Sequence, residues 1–499
     1  MARLARATLL SLAGTAALVV GLVATTATDP AADRGSDTAA DRRPRTAAPR
    51  ACAAPVASTT QPGYAIADPR CDVRTGAPFG PLEDGNGSAI STTYTGIAAG
   101  SAYRIEVPKR WNHELVLFAH GYRGTGTTVW VDSPGLRRHY IRRGFAWAAS
   151  SYQTNGYDVG HGVRDTHALI GLFRTVTTRR PTGVYLTGQS MGGQVTVVAL
   201  ERYPRTFLAA MPYCGVLAET SLFSYFLDAN VTAAALTGTP IRYPRSREAG
   251  AAYVGPYETQ VLAQLPKLGV SRQSPVPSTA AGRAWQAAIE QRSGGKRPGF
   301  DSAMSYWNSG SFPPLTRVPF LFGLYPGLTG GTAGIAPGNV ATNTSTVYQL
   351  DERPGLTPAE KALNARVLRV AATATASNDL TGIPAARGTP GVPVVSVHSI
   401  GDLFVPFSME QIYARRVAGH GQSRLFVSRA IRSNAHCGFT GPELRSAFDD
   451  LVTWVRTGRR AAGDHVTNAA AVASATFGCR FTDGSHPEFR GERCRSRGD

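Results

Sequence analysis

The sequence predicts an α/β fold, in which a mostly parallel sheet carries helices on both faces and a large cap is inserted. Short apolar runs alternate with segments of helical periodicity in both halves of the chain. Between about 216 and 389 this alternation stops, and the interval is too long for a loop, so we expect an inserted cap there. The 499 residues, of which 42% are hydrophobic, suffice for one large domain with such an insertion.

The individual elements follow from the spacing of apolar residues. Continuous apolar runs predict buried strands at 103–107, 115–119, 145–149, 184–187, 208–212, 392–398 and 424–428. A period of three to four residues predicts helices over 158–178, 191–202, 280–291, 358–372 and 442–456. The predicted domains are an α/β core (56–215 and 390–460), a cap or lid (216–389) and a basic C-terminal tail (461–499).

The amino terminus has the composition of a secretory signal peptide. A basic start is followed by an apolar run over residues 9–23, and small residues follow near Ala27. We expect residues 1–27 to be removed and the protein to be secreted. A single membrane anchor is the alternative, since the run is borderline in length. Residues 28–55 lack any apolar period and are predicted to form a flexible spacer.

The cysteines lie outside the predicted signal peptide, at Cys52, Cys71, Cys214, Cys437, Cys479 and Cys494. An even number in an exported chain predicts up to three disulfides, although sequence leaves their pairing open. Proximity along the chain favours Cys52–Cys71 and Cys479–Cys494, the latter pinning the tail, and leaves Cys214 with Cys437. No CxxC pair is present, so we expect no metal site.

The net charge of +18 comes almost entirely from arginine. Such a charge is common in proteins that bind nucleic acids or anionic surfaces. Here the arginines are scattered, and the heavy use of Ala, Gly and Arg is typical of GC-rich coding. We therefore expect no nucleic-acid partner, with adhesion to an acidic cell wall or polymer as the alternative.

A serine motif lies at a predicted strand–helix junction. Residues 188–193, Gly-Gln-Ser-Met-Gly-Gly, follow the strand at 184–187 and begin a predicted helix. A serine hydroxyl is a weak nucleophile, so Ser190 must be presented on a sharp turn with room for a base. Gly188 and Gly192 allow that turn and close packing of the helix. The alternative is a glycine-rich turn without chemistry.

A second motif, His120-Gly121-Tyr122, directly follows the predicted strand at 115–119. A developing oxyanion needs two N–H donors. We predict that the backbones of Met191 and Tyr122 supply them. His120 is predicted to be a structural loop residue, because its place far ahead of the serine does not suit a base.

The predicted acid is Asp402, which follows Gly401 in the loop after the strand at 392–398. An acid in such a late loop can reach an imidazole and hold its tautomer. Glu219, which follows the strand at 208–212, is the rival acid. A turn aspartate without a catalytic role is the other alternative.

The predicted base is His436, in the loop between the strand at 424–428 and the last helix. From this loop an imidazole can reach Ser190. A nucleophilic Cys437 is disfavoured, because it lacks a sharp turn and lies beside its would-be base.

The chain order Ser190, Asp402, His436, with a His-Gly loop upstream, resembles the α/β-hydrolase superfamily. The resemblance covers about residues 100–215 and 390–457. It implies that Ser190 attacks the substrate, that His436 takes and returns the proton, and that Asp402 orients His436. It implies no metal and no organic cofactor.

These features predict a secreted serine hydrolase that cleaves carboxylic esters, and lipid esters and polyesters are among the expected substrates. We expect no stable insertion into a membrane. Export, an aromatic cap and the lack of an obvious charged clamp favour esters. The cap aromatics, which also fit the cap's own core, are Phe223, Tyr225, Phe226, Trp285 and Trp307. An exported peptidase releasing short peptides is the second hypothesis, with Asp228 or Glu219 holding the free amine. A non-catalytic surface-binding protein is the third.

Overall fold

The computed structural model describes residues 52–243, 251–312, 315–324, 339–484, 486–491 and 494, with 251–253 described by backbone only. The predicted signal peptide (1–27) and residues 28–51 of the predicted spacer lie outside these residues. Within the described ranges no helix is long and apolar enough to cross a bilayer.

The main sheet has eight strands and is mostly parallel. In spatial order they are β11 (Phe426–Ile431), β10 (Val394–Ser399), β9 (Ala209–Tyr213), β8 (Gly183–Gln189), β5 (Glu114–Ala119), β7 (Ala146–Ser150), β4 (Ser101–Pro108) and β3 (Ser91–Ala98). The strands from β11 to β7 run parallel to one another, and β4 is antiparallel to both of its neighbours. Each of the seven predicted strands is present within a few residues, and β3 was not predicted.

Helices cover both faces of this sheet, as β5 illustrates. Leu115 and Leu117 contribute to one apolar core, and Val116 and Phe118 contribute to another. Successive side chains of a strand point to opposite faces, so a strand covered on both sides is apolar throughout. The predicted fold class, a mostly parallel α/β sheet with helices on both faces, is confirmed.

The covering helices fall into two groups by the core that they share. On the first face lie α2 (Val159–Thr177), α3 (Met191–Arg202) and α10 (Ser408–Gly419). On the second lie α1 (Arg137–Arg142) and α11 (Gly441–Thr457). The predicted helices at 158–178, 191–202 and 442–456 are thus confirmed, whereas α1 and α10 were not predicted.

The described part of the interval between β9 and β10 contains helices and no strand of the main sheet. It contains α4 (Ser221–Thr237), α5 (Ala251–Leu268), α6 (Ala280–Ser293), α7 (Phe300–Ser309), α8 (Phe320–Gly323) and α9 (Pro358–Arg366). Its apolar side chains join the core on the α2–α3 face of the sheet. The Gly-, Pro- and Ser-rich composition of this interval concealed α4, α5, α7 and α8.

The helix predicted over 358–372 ends early, at Arg366. The Asn343 side chain explains the difference, because it donates to Leu368 O at 2.8 Å and accepts from Val370 N at 2.7 Å. These backbone groups are therefore satisfied by a distant side chain instead of by another helical turn.

A three-stranded sheet lies at the amino-terminal end of the described chain. It pairs β1 (Val56–Ala57) with β2 (Ala65–Ile66), and β2 with β6 (Thr128–Val129). At the other end, α12 (Ala469–Val472) lies within the C-terminal segment. All six cysteines form disulfides, Cys52–Cys71, Cys214–Cys437 and Cys479–Cys494, which confirms the pairing favoured by proximity.

Candidate active site

Ser190 occupies the sharp turn between β8 and α3, with φ of 58° and ψ of −121°. A positive φ in a non-glycine residue costs about 1–3 kcal/mol and persists only where surrounding contacts impose it. Two such contacts come from the end of β9: Ser190 N donates to Tyr213 O at 3.1 Å, and Val216 N donates to Ser190 O at 3.2 Å. The turn therefore holds the hydroxyl at the carboxyl end of the parallel strands.

Gly188 and Gly192, the two glycines predicted to allow the turn, stand where the backbone leaves no space for a side chain. A Cβ on Gly188 would lie 2.0 Å from Gly192 O, and one on Gly192 would lie 2.1 Å from Ala119 O. Gly121 is close to the serine as well, since a Cβ there would lie 3.0 Å from Ser190 Cβ. The loop after β5 and the start of α3 thus meet around Ser190.

The predicted base and acid converge on this serine from the far end of the chain. His436 Nε2 lies 2.8 Å from Ser190 Oγ, and His436 Nδ1 lies 2.6 Å from Asp402 Oδ2. Because a carboxylate only accepts, Nδ1 donates to Asp402, which leaves Nε2 as the acceptor for the serine hydroxyl. We call these residues the Ser190–His436–Asp402 array.

Asp402 is fully buried, and both of its oxygens have partners. Oδ1 accepts from the backbone N–H groups of Phe404 at 2.8 Å and Val405 at 3.1 Å, which leaves Oδ2 for His436. The backbone donors fix the direction of the carboxylate and leave Oδ2 to accept from His436.

The predicted oxyanion donors are available at the same place. In the part of the chain that the structure describes, no protein acceptor is recorded for the backbone N–H of Met191 or of Tyr122. Met191 is the first residue of α3, where N–H groups have no partner within the helix and the helix dipole favours negative charge. Tyr122 follows Gly121, whose backbone lies against Ser190.

His120 does not face Ser190 and is buried in the protein. Its ring nitrogens lie 2.7 Å from Gly121 O and 3.1 Å from Ser151 O, and its ring stacks on Tyr152. Burial, reinforced by the nearby Arg123 charge, holds the pKa of His120 well below its usual range. These contacts fit the structural role predicted for it.

The rival acid, Glu219, is paired elsewhere. Its two carboxylate oxygens receive hydrogen bonds of 2.7 and 2.9 Å from the guanidinium of Arg416, a bidentate ion pair. The imidazole of His436 meets Asp402 instead, so the geometry favours Asp402 as the acid.

Two aromatic residues that were not predicted as active-site residues, Phe404 and Trp307, lie near His436 or its loop. The Phe404 ring meets the imidazole edge-on, with 4.9 Å between centroids. The Trp307 indole, from α7, donates to both Gly401 O and Asn434 O at 3.0 Å. Phe404 is only two residues from Asp402 and could have been suspected, whereas Trp307 was predicted only as a cap aromatic and no local pattern indicates its contact with the two loops.

The C-terminal segment also supports the loop of His436. Glu488 Oε1 accepts from Ser433 Oγ at 2.7 Å and from Asn434 N at 3.3 Å. Burial alone would raise the pKa of Glu488, but the nearby imidazole of His486 and the hydrogen bond from Ser433 outweigh it and lower the pKa to about 2. The carboxylate therefore stays ionised at neutral pH and keeps both acceptor contacts.

The residues near Ser190 do not fit a metal ion. Cys214, His436 and Cys437 have ligand-type atoms within 4.8 Å of one another. Both sulfurs belong to one disulfide, however, so neither can supply the thiolate that a metal requires.

Comparisons with known proteins give only weak likenesses. No protein-family model matches the chain. It is 32% identical to an o-phthalyl amidase of Xanthobacter agilis over 71 residues, which are 14% of this chain and 16% of that relative. Feruloyl esterase B from Aspergillus oryzae superposes with a TM-score of 0.39 at 15% identity, covering 76% of this chain and 84% of that one. Pyrococcus horikoshii acylaminoacyl peptidase superposes with a TM-score of 0.33 at 10% identity, and the superposition covers 75% of this chain and 43% of that one.

The assignment of the fold rests on the molecule itself. The mostly parallel sheet, the strand–turn–helix at Ser190 and the chain order Ser190, Asp402, His436 are features of the α/β-hydrolase superfamily. The chain has this fold, which agrees with the resemblance drawn from its sequence.

Proposed function

We propose that this protein is an exported serine hydrolase that cleaves carboxylic esters through an acyl-enzyme on Ser190. The observation that carries the proposal is the Ser190–His436–Asp402 array, with 2.8 Å between Ser190 Oγ and His436 Nε2. A hydroxyl, an imidazole of fixed tautomer and a buried carboxylate in this arrangement have the geometry of nucleophilic acyl transfer.

The first half-reaction forms the acyl-enzyme. Ser190 Oγ attacks the ester carbonyl carbon while its proton passes to His436 Nε2. The carbonyl oxygen becomes an oxyanion that accepts hydrogen bonds from Met191 N and Tyr122 N. The tetrahedral intermediate then collapses, the bond to the alcohol oxygen breaks, and His436 returns the proton to the leaving alcohol.

The second half-reaction releases the acid. A water molecule gives a proton to His436 Nε2 and attacks the acyl carbon. Collapse of this intermediate breaks the bond to Ser190 Oγ, which takes the proton back from His436. Asp402 remains ionised throughout and stabilises the imidazolium formed in each half-reaction.

Ester specificity is favoured by the surroundings of His436, which are largely aromatic. Phe404 meets the imidazole edge-on and contacts Phe312, Phe320 and Trp307. The other predicted cap aromatics, Phe223, Tyr225, Phe226 and Trp285, are buried in the core. An apolar surrounding suits an uncharged acyl or aryl group better than a charged peptide terminus.

An amide is the second candidate substrate, favoured by the short likeness to an o-phthalyl amidase. Release of short peptides is less well supported. Glu219 is paired with Arg416, and Asp228 is fully buried, with Oδ2 2.6 Å from Arg292 Nε and Oδ1 2.6 Å from Tyr348 OH. Neither carboxylate is available to hold a free amine.

Export is proposed from the signal-like sequence at 1–27 together with the three disulfides, which persist in oxidising compartments. Polyesters and lipid esters remain the proposed extracellular substrates, without a nucleic-acid partner.

The test combines a serine probe with two substrate series. One sample of the purified protein is treated with a fluorophosphonate to test for labelling. An untreated sample is assayed on p-nitrophenyl esters of rising chain length and on peptidyl arylamides. We expect labelling at Ser190, ester turnover, and loss of several orders of magnitude in kcat in Ser190→Ala. Ser88→Ala, in an exposed loop before β3, is the matched control and should behave as wild type. Near wild-type activity in Ser190→Ala would refute the proposal, and arylamide turnover without ester turnover would select the amide.

A further inference from the structure

The acid and the base of the array stand on separate loops. Asp402 follows β10 and His436 follows β11, and both loops leave the sheet at its carboxyl edge. One backbone hydrogen bond joins them directly, from Gly401 N to Ser433 O at 3.0 Å. The distance between His436 Nδ1 and Asp402 Oδ2 therefore depends on how these two loops are aligned with each other, which we call their register.

A single side chain from the insertion bridges the same two loops. The Trp307 indole N–H lies 3.0 Å from Gly401 O, next to Asp402, and 3.0 Å from Asn434 O, two residues before His436. Within the described residues no other donor to either carbonyl is recorded. One three-centred hydrogen bond therefore connects the acid loop with the base loop.

The orientation of the indole is imposed by packing. Trp307 is 7% exposed, and its ring lies 4.5 Å from that of Phe320 and 6.4 Å from that of Phe404. Phe404 in turn lies against His436. A ring held in this way keeps its N–H aimed at both carbonyls without losing further side-chain entropy.

We propose that Trp307 is a positioning residue, whose N–H sets the register between the loops of Asp402 and His436. This inference rests on the proposed function. It gives α7 a part in catalysis, because a residue of the interval between β9 and β10 would help to assemble the active site. Displacement of a catalytic group by about 1 Å can cost about 100-fold in rate, so the effect of losing this N–H should appear in kcat.

Trp307→Phe is the direct test, because phenylalanine retains much of the ring contact and lacks the N–H. The chain offers a matched control in Trp285, which is fully buried, donates to Ala229 O at 2.8 Å and stacks on Phe322. Trp285→Phe removes an equivalent buried hydrogen bond whose acceptor, Ala229 O, belongs neither to the loop of Asp402 nor to the loop of His436. Both variants are measured for kcat and KM on a p-nitrophenyl ester, for the rate of fluorophosphonate labelling and for thermal unfolding, beside Ser190→Ala.

We expect Trp307→Phe to lower kcat and the labelling rate by about 10- to 100-fold with KM little changed. Trp285→Phe should lose thermal stability while keeping kcat and labelling rate. If Trp307→Phe does not fold, site-specific replacement of Trp307 by benzothienylalanine, which keeps the bicyclic shape without an N–H, is judged by the same criteria.

The outcomes separate the two proposals. Equal kcat and labelling rate in the Trp307 and Trp285 variants, together with an inactive Ser190→Ala, would overturn the positioning role alone. An active Ser190→Ala would overturn the proposed function itself. A rise in KM at unchanged kcat in Trp307→Phe would assign Trp307 to substrate binding and would also overturn the positioning role.

Discussion

Cys437, the residue after His436, is disulfide-bonded to Cys214, the residue after β9. The neighbouring Tyr213 accepts a hydrogen bond from Ser190 N at 3.1 Å. The end of β9 therefore supports the nucleophile through one backbone contact and the base through a covalent bond. Movement of the His436 loop away from Ser190 is opposed by this bridge.

Removal of that bridge should reduce activity as well as stability. The double variant Cys214→Ala/Cys437→Ala should lose about 2–5 kcal/mol in the free energy of unfolding, and its rate of fluorophosphonate labelling should fall. Cys52→Ala/Cys71→Ala, which opens a disulfide remote from the array, is the control and should lose stability only. Denaturant unfolding and labelling kinetics measure both effects. Equal labelling rates in the two double variants would contradict the bracing role of Cys214–Cys437.

The identity of the acid can be tested with two isosteric substitutions at buried carboxylates. Asp402→Asn should lower kcat by about four orders of magnitude, because an amide cannot stabilise the imidazolium or enforce its tautomer. Glu219→Gln breaks the ion pair with Arg416 and should reduce stability while leaving kcat near wild type. Steady-state kinetics on one p-nitrophenyl ester distinguish these results. The reverse pattern would make Glu219 the acid.

Two glycine-to-alanine changes should have opposite effects. In Gly188→Ala the new methyl group would lie 2.0 Å from Gly192 O, so we expect lost stability and a displaced Ser190 turn without activity. At Gly171, within α2, a methyl group would point into open space, so Gly171→Ala should gain up to about 1 kcal/mol from helix propensity. Thermal unfolding and ester turnover of both variants provide the measurement. An active, stable Gly188→Ala would show that the turn tolerates a side chain.

A pH-dependent contribution to stability is expected from His486. Burial alone would lower the pKa of this imidazole, but the hydrogen bond with Glu443 and the nearby carboxylate of Glu488 outweigh it and raise the pKa to about 9. A raised pKa means that the folded state binds the proton more tightly than the unfolded chain does. The stabilisation is therefore complete below the unfolded pKa of about 6.5 and is lost as the pH rises through about 9.

His486→Gln should accordingly destabilise the protein more at pH 6 than at pH 10, measured as the difference in unfolding free energy from wild type. His465→Gln, an exposed histidine in the same part of the chain, should show a small difference at both values. If the His486 variant lost the same stability at pH 6 and pH 10, the ion pair would not contribute as proposed.

Local patterns anticipated much of the sheet and of the array. The run at 115–119 is apolar because β5 is covered on both faces, and such a run is visible without any knowledge of its neighbours. The motif around Ser190 is in part equally local, since a Cβ on Gly188 would meet Gly192 O within the strand–turn–helix itself, whereas one on Gly192 would meet Ala119 O of β5. The helix expected over 358–372 was too long, because Asn343, well outside that window, binds the backbone beyond Arg366.

The sequence by itself determined seven of the eight strands of the main sheet, the helices α2, α3, α6 and α11 and the presentation of Ser190, because propensity, periodicity and close packing act within a few neighbouring residues. Only the tertiary structure paired His436 with Asp402 and Arg416 with Glu219, placed Trp307 across two loops and brought Glu488 to the loop of His436. Each of these contacts joins residues far apart in the chain. The geometry of the folded backbone determines which residues meet, and local sequence patterns carry no information about that geometry.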